Sequence, residues 1–483
     1  MKSRGEVPAD GVPRPRPHVL VIGGGIAGLS AAWSVLASGR SVEVTVLEAA
    51  PRTGGKLRTG EVAGHPVDLG AEAMLSRRPE AVRLARQVGL GEDVVHPVTT
   101  SAGVWTRGCV RPLPRTMMGI PADLDALRDG GIVGRRAVVR ARLERALGRL
   151  DVTEDVAVGA VVARRLGREI RDRLVEPMLG GVYAGRADEL SLHATVPQLV
   201  PAIAEHGGLL SAAAASGTAP SSGGSAPPVF AGIEGGVGRL ATATDAAVRS
   251  AGGEVRCLVT VRELHRTATG FRVVAGPTIA PEVIAADAVI LAVPAIPAAR
   301  LLRDLVPAGS QELGRIEYAS LAIVTLALRR DPARDLVGSG FLVPPVDLRT
   351  IKAATFSSRK WGWHGQDLEL VRCSIGRSGD AQRLQRSDAE LVTAARLDLQ
   401  EATGLSGSLI DATVTRWGGA LPQYTVGHLD RVRRVRESVA TVPGLAVCGA
   451  AYDGLGLPAC IATAEQAAAQ VLAGLGAQGT MQG

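Results

Sequence analysis

At 483 residues the chain is too long for one simple core and calls for two or three lobes. Its hydrophobic fraction of 46% is ordinary for a globular protein, and aromatics at only 3% leave the cores to Ala, Val and Leu. The net charge of +7 is almost all Arg, and the absence of a basic stripe interleaved with aromatics or of a C-x-x-C pair excludes nucleic acid, zinc and a disulfide framework.

Residues 1–17 are Pro-rich and charged, with no apolar stretch of signal-peptide type, and read as a disordered leader. Next comes "HVLVIGGGIAGLSAAWSVLASGR", with no charged side chain between His18 and Arg40. Its length suits a membrane span, but three consecutive glycines near its start suit a strand–turn–helix better. Gly23, Gly25 and Gly28 fit G-x-G-x-x-G: the first allows the turn, the second lets a pyrophosphate approach, and the third lets helix pack on strand. The diphosphate then rests on the helix N-terminus. A second strand, "SVEVTVLEA", ends in Glu48, twenty residues past Gly28, where a carboxylate would accept from an adenosine ribose. Directly afterwards, Gly54 and Gly55 with Arg52 and Lys56 offer a second backbone approach and two cations, a feature of large flavoproteins rather than NAD dehydrogenases.

Residues 121–175 carry Arg, Leu and Ala at helical spacing and read as a solvated basic helical lobe rather than a membrane-docking surface. Ser211 to Val229 is low-complexity and reads as a mobile loop. Ile284 to Ala295 reads as a buried strand ending in Pro, and "SLAIVTLAL" and "ELVRCSIG" alternate as strands of an antiparallel sheet forming a substrate wall. Near the C-terminal end, "PGLAVCGAAYDGLGLPACIATAEQAAAQVL" reads as strand, Gly-rich loop and closing helix, able to bring Gly449, Gly456 and Leu457 against a flavin ring.

The expected fold class is therefore α/β: a Rossmann-like FAD-binding domain, a substrate domain with a mixed or antiparallel sheet, and an inserted helical lobe. The FAD-binding domain is assigned to residues 18–76, 228–298 and 430–475, and the substrate domain to 77–112 and 299–429. The helical lobe takes 113–210 and the flexible loop 211–227.

"GGGIAGLSAA", "LEAxxRxGGKLRT", "GGVYAG", "RWGGALPQYTVGH" and "GAAYDGLGLPACI" together resemble the oxygen-dependent porphyrinogen oxidases, within the flavin amine oxidase and phytoene desaturase superfamily. The resemblance runs from about His18 to Leu472, and "GGVYAG" and "ALPQYTVGH" are its specific parts. It implies non-covalent FAD held by Gly23, Gly24, Gly25, Ile26, Ala27, Gly28, Glu48, Ala49 and Lys56. Further contacts fall on Gly70, Ala71, Glu72, Ala73, Val261, Trp417, Gly456, Leu457 and Pro458. The chain departs from the family at "GAEAM", where relatives have Gly-Pro-Asp-Ser-Phe, and at Arg186 and Ala459, each in place of an Asp.

The resemblance further implies oxidation of coproporphyrinogen III to coproporphyrin III in haem biosynthesis, with dioxygen as acceptor and hydrogen peroxide as product. Protoporphyrinogen IX oxidation is the alternative, followed by flavin amine oxidase, carotenoid-desaturase-like and non-catalytic scaffold roles. The flavin takes the hydride, so no nucleophile is required, and His65, His193, His364 and His428 are expected to be structural. The substrate's propionates make Arg77 and Arg78 at the cavity mouth, and Lys352, Arg359 and Lys360 in the substrate wall, candidate partners, although each taken singly reads as an exposed surface cation. A cytoplasmic protein without an integral membrane span is expected, in transient contact with ferrochelatase.

Overall fold

The computed structural model describes residues 16–216, 228–331, 335–365 and 367–480. Residues 1–15 of the expected leader and 217–227 of the expected loop lie outside them. Residues 211–216 belong instead to the helix Leu209–Ser216, a correction with a simple cause. Its alanines favour helix, and Leu209, Leu210, Ala212 and Ala213 are buried in the core of the helical lobe.

The uncharged stretch beginning at His18 forms the centre of an α/β layer. Strand β1 (His18–Ile22) runs into helix α1 (Ile26–Leu36) and then strand β2 (Glu43–Leu47), which pairs with β1 in parallel. The sheet has five parallel strands in the order 254–256, β2, β1, 288–291, 445–447. Val19 and Val21 face α1 and the long helix Leu457–Thr480, whereas Leu20 and Ile22 face the opposite layer. That layer is an antiparallel meander of strands 261–266, 271–275 and 282–286, with the helices 295–302, 307–314 and 428–440. Burial on both faces is why β1 reads as an unbroken apolar run. No helix among the described residues is long and apolar enough to cross a membrane.

The chain winds outward from β1 to β2 and 254–256, then returns to the other side at 288–291. Strand order thus reverses beside β1, and ligands of open α/β sheets bind at the carboxyl ends of the strands at such a reversal.

A second sheet has seven strands in the order 409–422, 318–329, 368–375, 351–356, 340–342, 103–106, 109–112. All neighbours are antiparallel except 340–342 and 103–106. One face, with Val324, Cys373, Ala354 and Phe341, is covered by the helix Asp388–Thr403, whose start is fixed by a Ser387–Glu390 capping box. The other face stays half-exposed in mid-sheet along the row Ile323, Ser374, Ala353 and Leu342. A central row left open in this way forms the wall of a cleft. The same row ends at Val104, which is buried in the core of the helical lobe. That lobe gathers the helices between Leu124 and Ser216 around its own core, joined by Tyr183 and Tyr424. The sheets and lobe give the α/β architecture expected from the sequence, with the helical layer inserted over the open sheet face.

Candidate functional site

The loop between β1 and α1 tolerates no side chains where it turns. Gly23 has φ +110°, and a Cβ there would lie 2.6 Å from the Ala292 carbonyl oxygen. A Cβ on Gly28 would lie 1.8 Å from the Gly23 oxygen, so α1 reaches β1 only with glycine at that position. Gly25, in contrast, faces open space: a Cβ there would meet nothing within 4 Å. Gly25 is also the N-cap of α1 and supplies no side-chain cap, so the first N–H groups of the helix remain available. A cradle closed behind and open in front, at a helix N-terminus, fits a dinucleotide diphosphate. Ile26 and Ala27 are buried in the first turn behind it.

Glu48 does more than its spacing suggests. Its Oε2 accepts from Gly24 N at 2.7 Å and its Oε1 from Ala50 N at 2.8 Å, so the carboxylate clamps the glycine loop to the end of β2. The lone pairs left over remain for a ribose hydroxyl. Ala49 beside it is exposed, and Glu48 O accepts from Val259 N, just ahead of the strand that begins at Val261.

The second glycine loop meets the first directly. Gly54 N donates to Gly24 O at 2.8 Å, and a Cβ on Gly55 would stand 3.3 Å from Gly25 Cα. Arg52 is turned onto its own loop, donating to Thr53 O at 2.9 Å and Gly55 O at 3.0 Å. Burial lowers the pKa of Lys56. The C-terminal loop returns to the same place, since a Cβ on Gly449 would stand 3.8 Å from Ala27 Cβ. Exposed Gly456 then leads to the buried Leu457 and Pro458, which start the helix packed on α1.

The segment Gly70–Ala73 is held against the open face of the seven-stranded sheet. Arg372 Nη2 donates to Gly70 O at 2.5 Å, and Trp417 Nε1 donates to Leu69 O at 2.8 Å. A Cβ on Gly70 would lie 1.9 Å from Lys56 O, so this turn and the second glycine loop also touch. Glu72, expected as a cofactor contact, has its carboxylate fully engaged. Oε2 lies 3.1 Å from Lys360 Nζ and 3.2 Å from Arg372 Nη1, and Oε1 accepts from Ser357 Oγ at 2.5 Å. Burial alone would raise its pKa, but Lys360 and Arg372, aided by Ser357, outweigh it and hold the carboxyl at about 2. Glu72 therefore fastens the turn, on which Ala71 and Ala73 are half-buried. The replacement of the family's Asp-Ser pair by Glu-Ala keeps one carboxylate for this purpose.

The surface reading of the three wall cations is corrected. Lys360 is tied to Glu72, Arg359 pairs with Glu369 and with Asp335 at 2.6 Å, and Lys352 is 3% exposed. Arg77 is exposed, and Arg78 pairs with Glu80 at 3.1 Å. No hydrogen bond or ion pair among the described residues carries either arginine to the open sheet row. Arg372 escaped the sequence reading, although a lone Arg in the apolar run "LELVRCSI" was a usable signal for a charge pointing away from the packed face.

Two of the four histidines expected to be structural, His193 and His428, make such contacts. Buried His428 stacks on Tyr424 at 4.0 Å and reaches Tyr452 O at 3.0 Å, and burial lowers its pKa to about 4. His193 reaches Val152 O at 2.7 Å. No cluster of metal-ligating side chains occurs among the described residues. A cavity of about 940 Å³ lies away from the glycine loops, in the helical lobe. Its arginines are in part already paired, Arg142 with Asp125 at 2.5 Å and Arg165 with Glu144 at 3.2 Å, and it has no link to the cofactor cradle.

Residues 26–472 match the family model described as flavin containing amine oxidoreductase. The coproporphyrinogen III oxidase of Mycobacterium leprae is 38% identical over 451 residues, covering 92% of this chain and 96% of that protein. The Mycobacterium tuberculosis H37Rv protein of the same name is 37% identical over 465 residues, covering 95% and 98%. A crystal structure from Exiguobacterium sp. 255-15, provisionally assigned as a protoporphyrinogen oxidase, superposes with a TM-score of 0.83 at 30% identity, covering 94% and 98%. Cyclohexylamine oxidase from Brevibacterium oxydans shares the fold at TM-score 0.69 and 16% identity, covering 95% and 100%.

Proposed function

This chain belongs to the flavin containing amine oxidoreductase family, and on that premise we propose that it is an FAD-dependent coproporphyrinogen III oxidase of haem biosynthesis. The observation that carries the reading is the end-to-end identity of 37% over 95% of the chain with proteins of that name, against 16% for an amine oxidase of the same fold. The cofactor, when bound, accepts a hydride, and three two-electron oxidations take porphyrinogen to porphyrin. Dioxygen is the proposed final acceptor, giving one hydrogen peroxide per two-electron step.

What the chain itself supplies is position. The two glycine loops and Glu48 hold the dinucleotide, and Gly70–Ala73, pinned by Arg372 and Trp417, fixes the edge of the cleft. The row Ile323, Ser374, Ala353 and Leu342 offers a flat, weakly polar wall suited to one face of a macrocycle. Holding the ring in one orientation turns a bimolecular encounter into a positioned transfer. Location in the cytoplasm and transient transfer of product to a ferrochelatase belong to the same proposal.

A paired assay in air tests it, following porphyrin fluorescence and peroxide with coproporphyrinogen III and protoporphyrinogen IX. Faster turnover of the first is expected. Preference for protoporphyrinogen IX would move the enzyme to the reading that the Exiguobacterium assignment favours. Turnover of neither by flavin-loaded protein would refute the oxidase assignment.

A further inference from the structure

The cleft wall continues past its open row into two cations, buried Lys352 and half-buried Arg377, that the network at Glu72 does not use. Lys352 lies at the register shift between Ile351 and Ala353, beside the open row. Its Nζ donates to Gly180 O at 3.1 Å, in the last turn of the helix Glu176–Tyr183. That carbonyl already accepts from Ala184 N at 3.1 Å, so it does not need the lysine. Arg377 approaches the same point: a Cβ on Gly180 would lie 2.2 Å from its Nη1. Arg377 Nη2 donates to Val343 O at 2.7 Å, while Nη1 is buried with no partner.

No carboxylate among the described residues forms an ion pair with either cation. The acidic groups felt by Arg377 are committed elsewhere, Glu176 to Ala187 N at 2.7 Å and Asp380 to Arg383 at 2.9 Å. A buried and a half-buried cation side by side, neither ion-paired to a carboxylate, are costly, because each loses hydration and repels the other. Burial, together with Arg377, lowers the pKa of Lys352 to about 7. The pair borders the cleft: Leu342 Cδ2 would lie 3.1 Å from a Cβ on Gly181, and Gly181 and Val182 are exposed.

We propose that Lys352 and Arg377 seat one aliphatic carboxylate of the substrate at the closed end of the cleft. This deepens the functional reading and rests on it. The carboxylate supplies a direct ion-pair partner, takes hydrogen bonds from Lys352 Nζ and the idle Arg377 Nη1, and fixes which edge of the ring is inserted. A substrate with four propionates presents one in more orientations than a substrate with two, so the seat favours the more carboxylated ring.

Steady-state kinetics of the flavin-loaded Lys352→Met enzyme tests the proposal, with coproporphyrinogen III and its tetramethyl ester as substrates. KM for the acid is expected to rise about 10-fold or more, as for loss of a charge-assisted hydrogen bond, with kcat changed much less and KM for the ester unchanged. Lys352→Arg should restore most of the loss. Wild-type KM for the acid should climb as pH rises through 7 and Lys352 deprotonates, and that slope should be absent in Lys352→Met. The melting temperature of substrate-free Lys352→Met should equal or exceed that of the wild type, whereas a lysine of merely structural value would lower it. Should that variant fail to fold, Arg377→Lys provides the second test, with a rise in KM for the acid alone. Parallel changes for acid and ester, or an unchanged KM in a folded variant of an active enzyme, would overturn the seat alone. A wild-type enzyme that oxidises neither porphyrinogen would overturn the functional reading and the seat with it.

Discussion

Replacing Glu72 by Gln tests how the Gly70–Ala73 turn is held. The carboxylate is almost fully buried between Lys360 and Arg372, and its pKa falls from the usual 4.5 to about 2. At about 1.36 kcal/mol per unit, that displacement corresponds to roughly 3 kcal/mol of stabilisation at neutral pH. Because the folded-state pKa is depressed, the contribution is complete above pH 4.5 and lost as pH falls toward 2. Breaking a buried pair from one side independently costs about 3–5 kcal/mol, since the partners are left as uncompensated charges. Urea unfolding of Glu72→Gln at pH 7, followed by tryptophan fluorescence, should therefore show a loss of about 3 kcal/mol. The double variant Glu72→Gln/Arg372→Met should be less destabilised than the sum of the singles, by more than about 1 kcal/mol of coupling. A loss below about 1 kcal/mol with additive singles would refute the network, placing the value of Glu72 in the range of an exposed ion pair.

Gly28→Ala drives a Cβ to 1.8 Å from the Gly23 oxygen, so the purified protein should carry less than about a tenth of the wild-type flavin by its visible absorbance, a loss of at least about 1.4 kcal/mol in binding; a fully yellow variant would contradict the packing of α1. Trp417→Phe removes the hydrogen bond to Leu69 O, and a stability loss near 1 kcal/mol is expected in urea titration. His428 titrates near 4 instead of 6.5 because burial disfavours its charged form, so the folded state binds fewer protons than the unfolded chain and stability falls as pH drops from 6.5 toward 4. His428→Phe keeps a ring against Tyr424 and should flatten part of that acid limb; His364, also lowered by burial to about 4, should supply the remainder.

What could be read in the sequence was local. β1, the glycine turn, α1 and Glu48 lie within 31 residues, and each step of that reading needs only neighbouring residues and the twenty-residue spacing. The alternation of "SLAIVTLAL" and "ELVRCSIG" likewise announced strands, and the two pair antiparallel. The ionic clamp was not legible, because Glu72 meets Ser357 across 285 residues and Gly70 meets Arg372 across 302, with no local signature. For the same reason Lys352 looked like a surface cation: a Lys directly before the small residues Ala353-Ala354-Thr355 gives no hint that a distant helix will cover it. Residues 211–216 of the expected loop are helical: "SAAAAS" resembles linker composition, while Ala212 and Ala213 lie on the buried side of a helix.

The five-stranded parallel sheet has a consequence for biogenesis. Its central strand ends at Ile22 but its last strand begins at Leu445, so the ribosome adds more than 400 residues between them. At about 5–20 residues per second that interval is on the order of half a minute. From the synthesis of residues 288–291 until that of Leu445, this strand has β1 on one side and no partner on the other, and the loop carrying Gly449 has not yet come against Ala27. Nascent chains thus present an unpaired apolar edge of the kind that recruits chaperones or aggregates, and the contact of the Gly449 loop with α1 forms only late in synthesis.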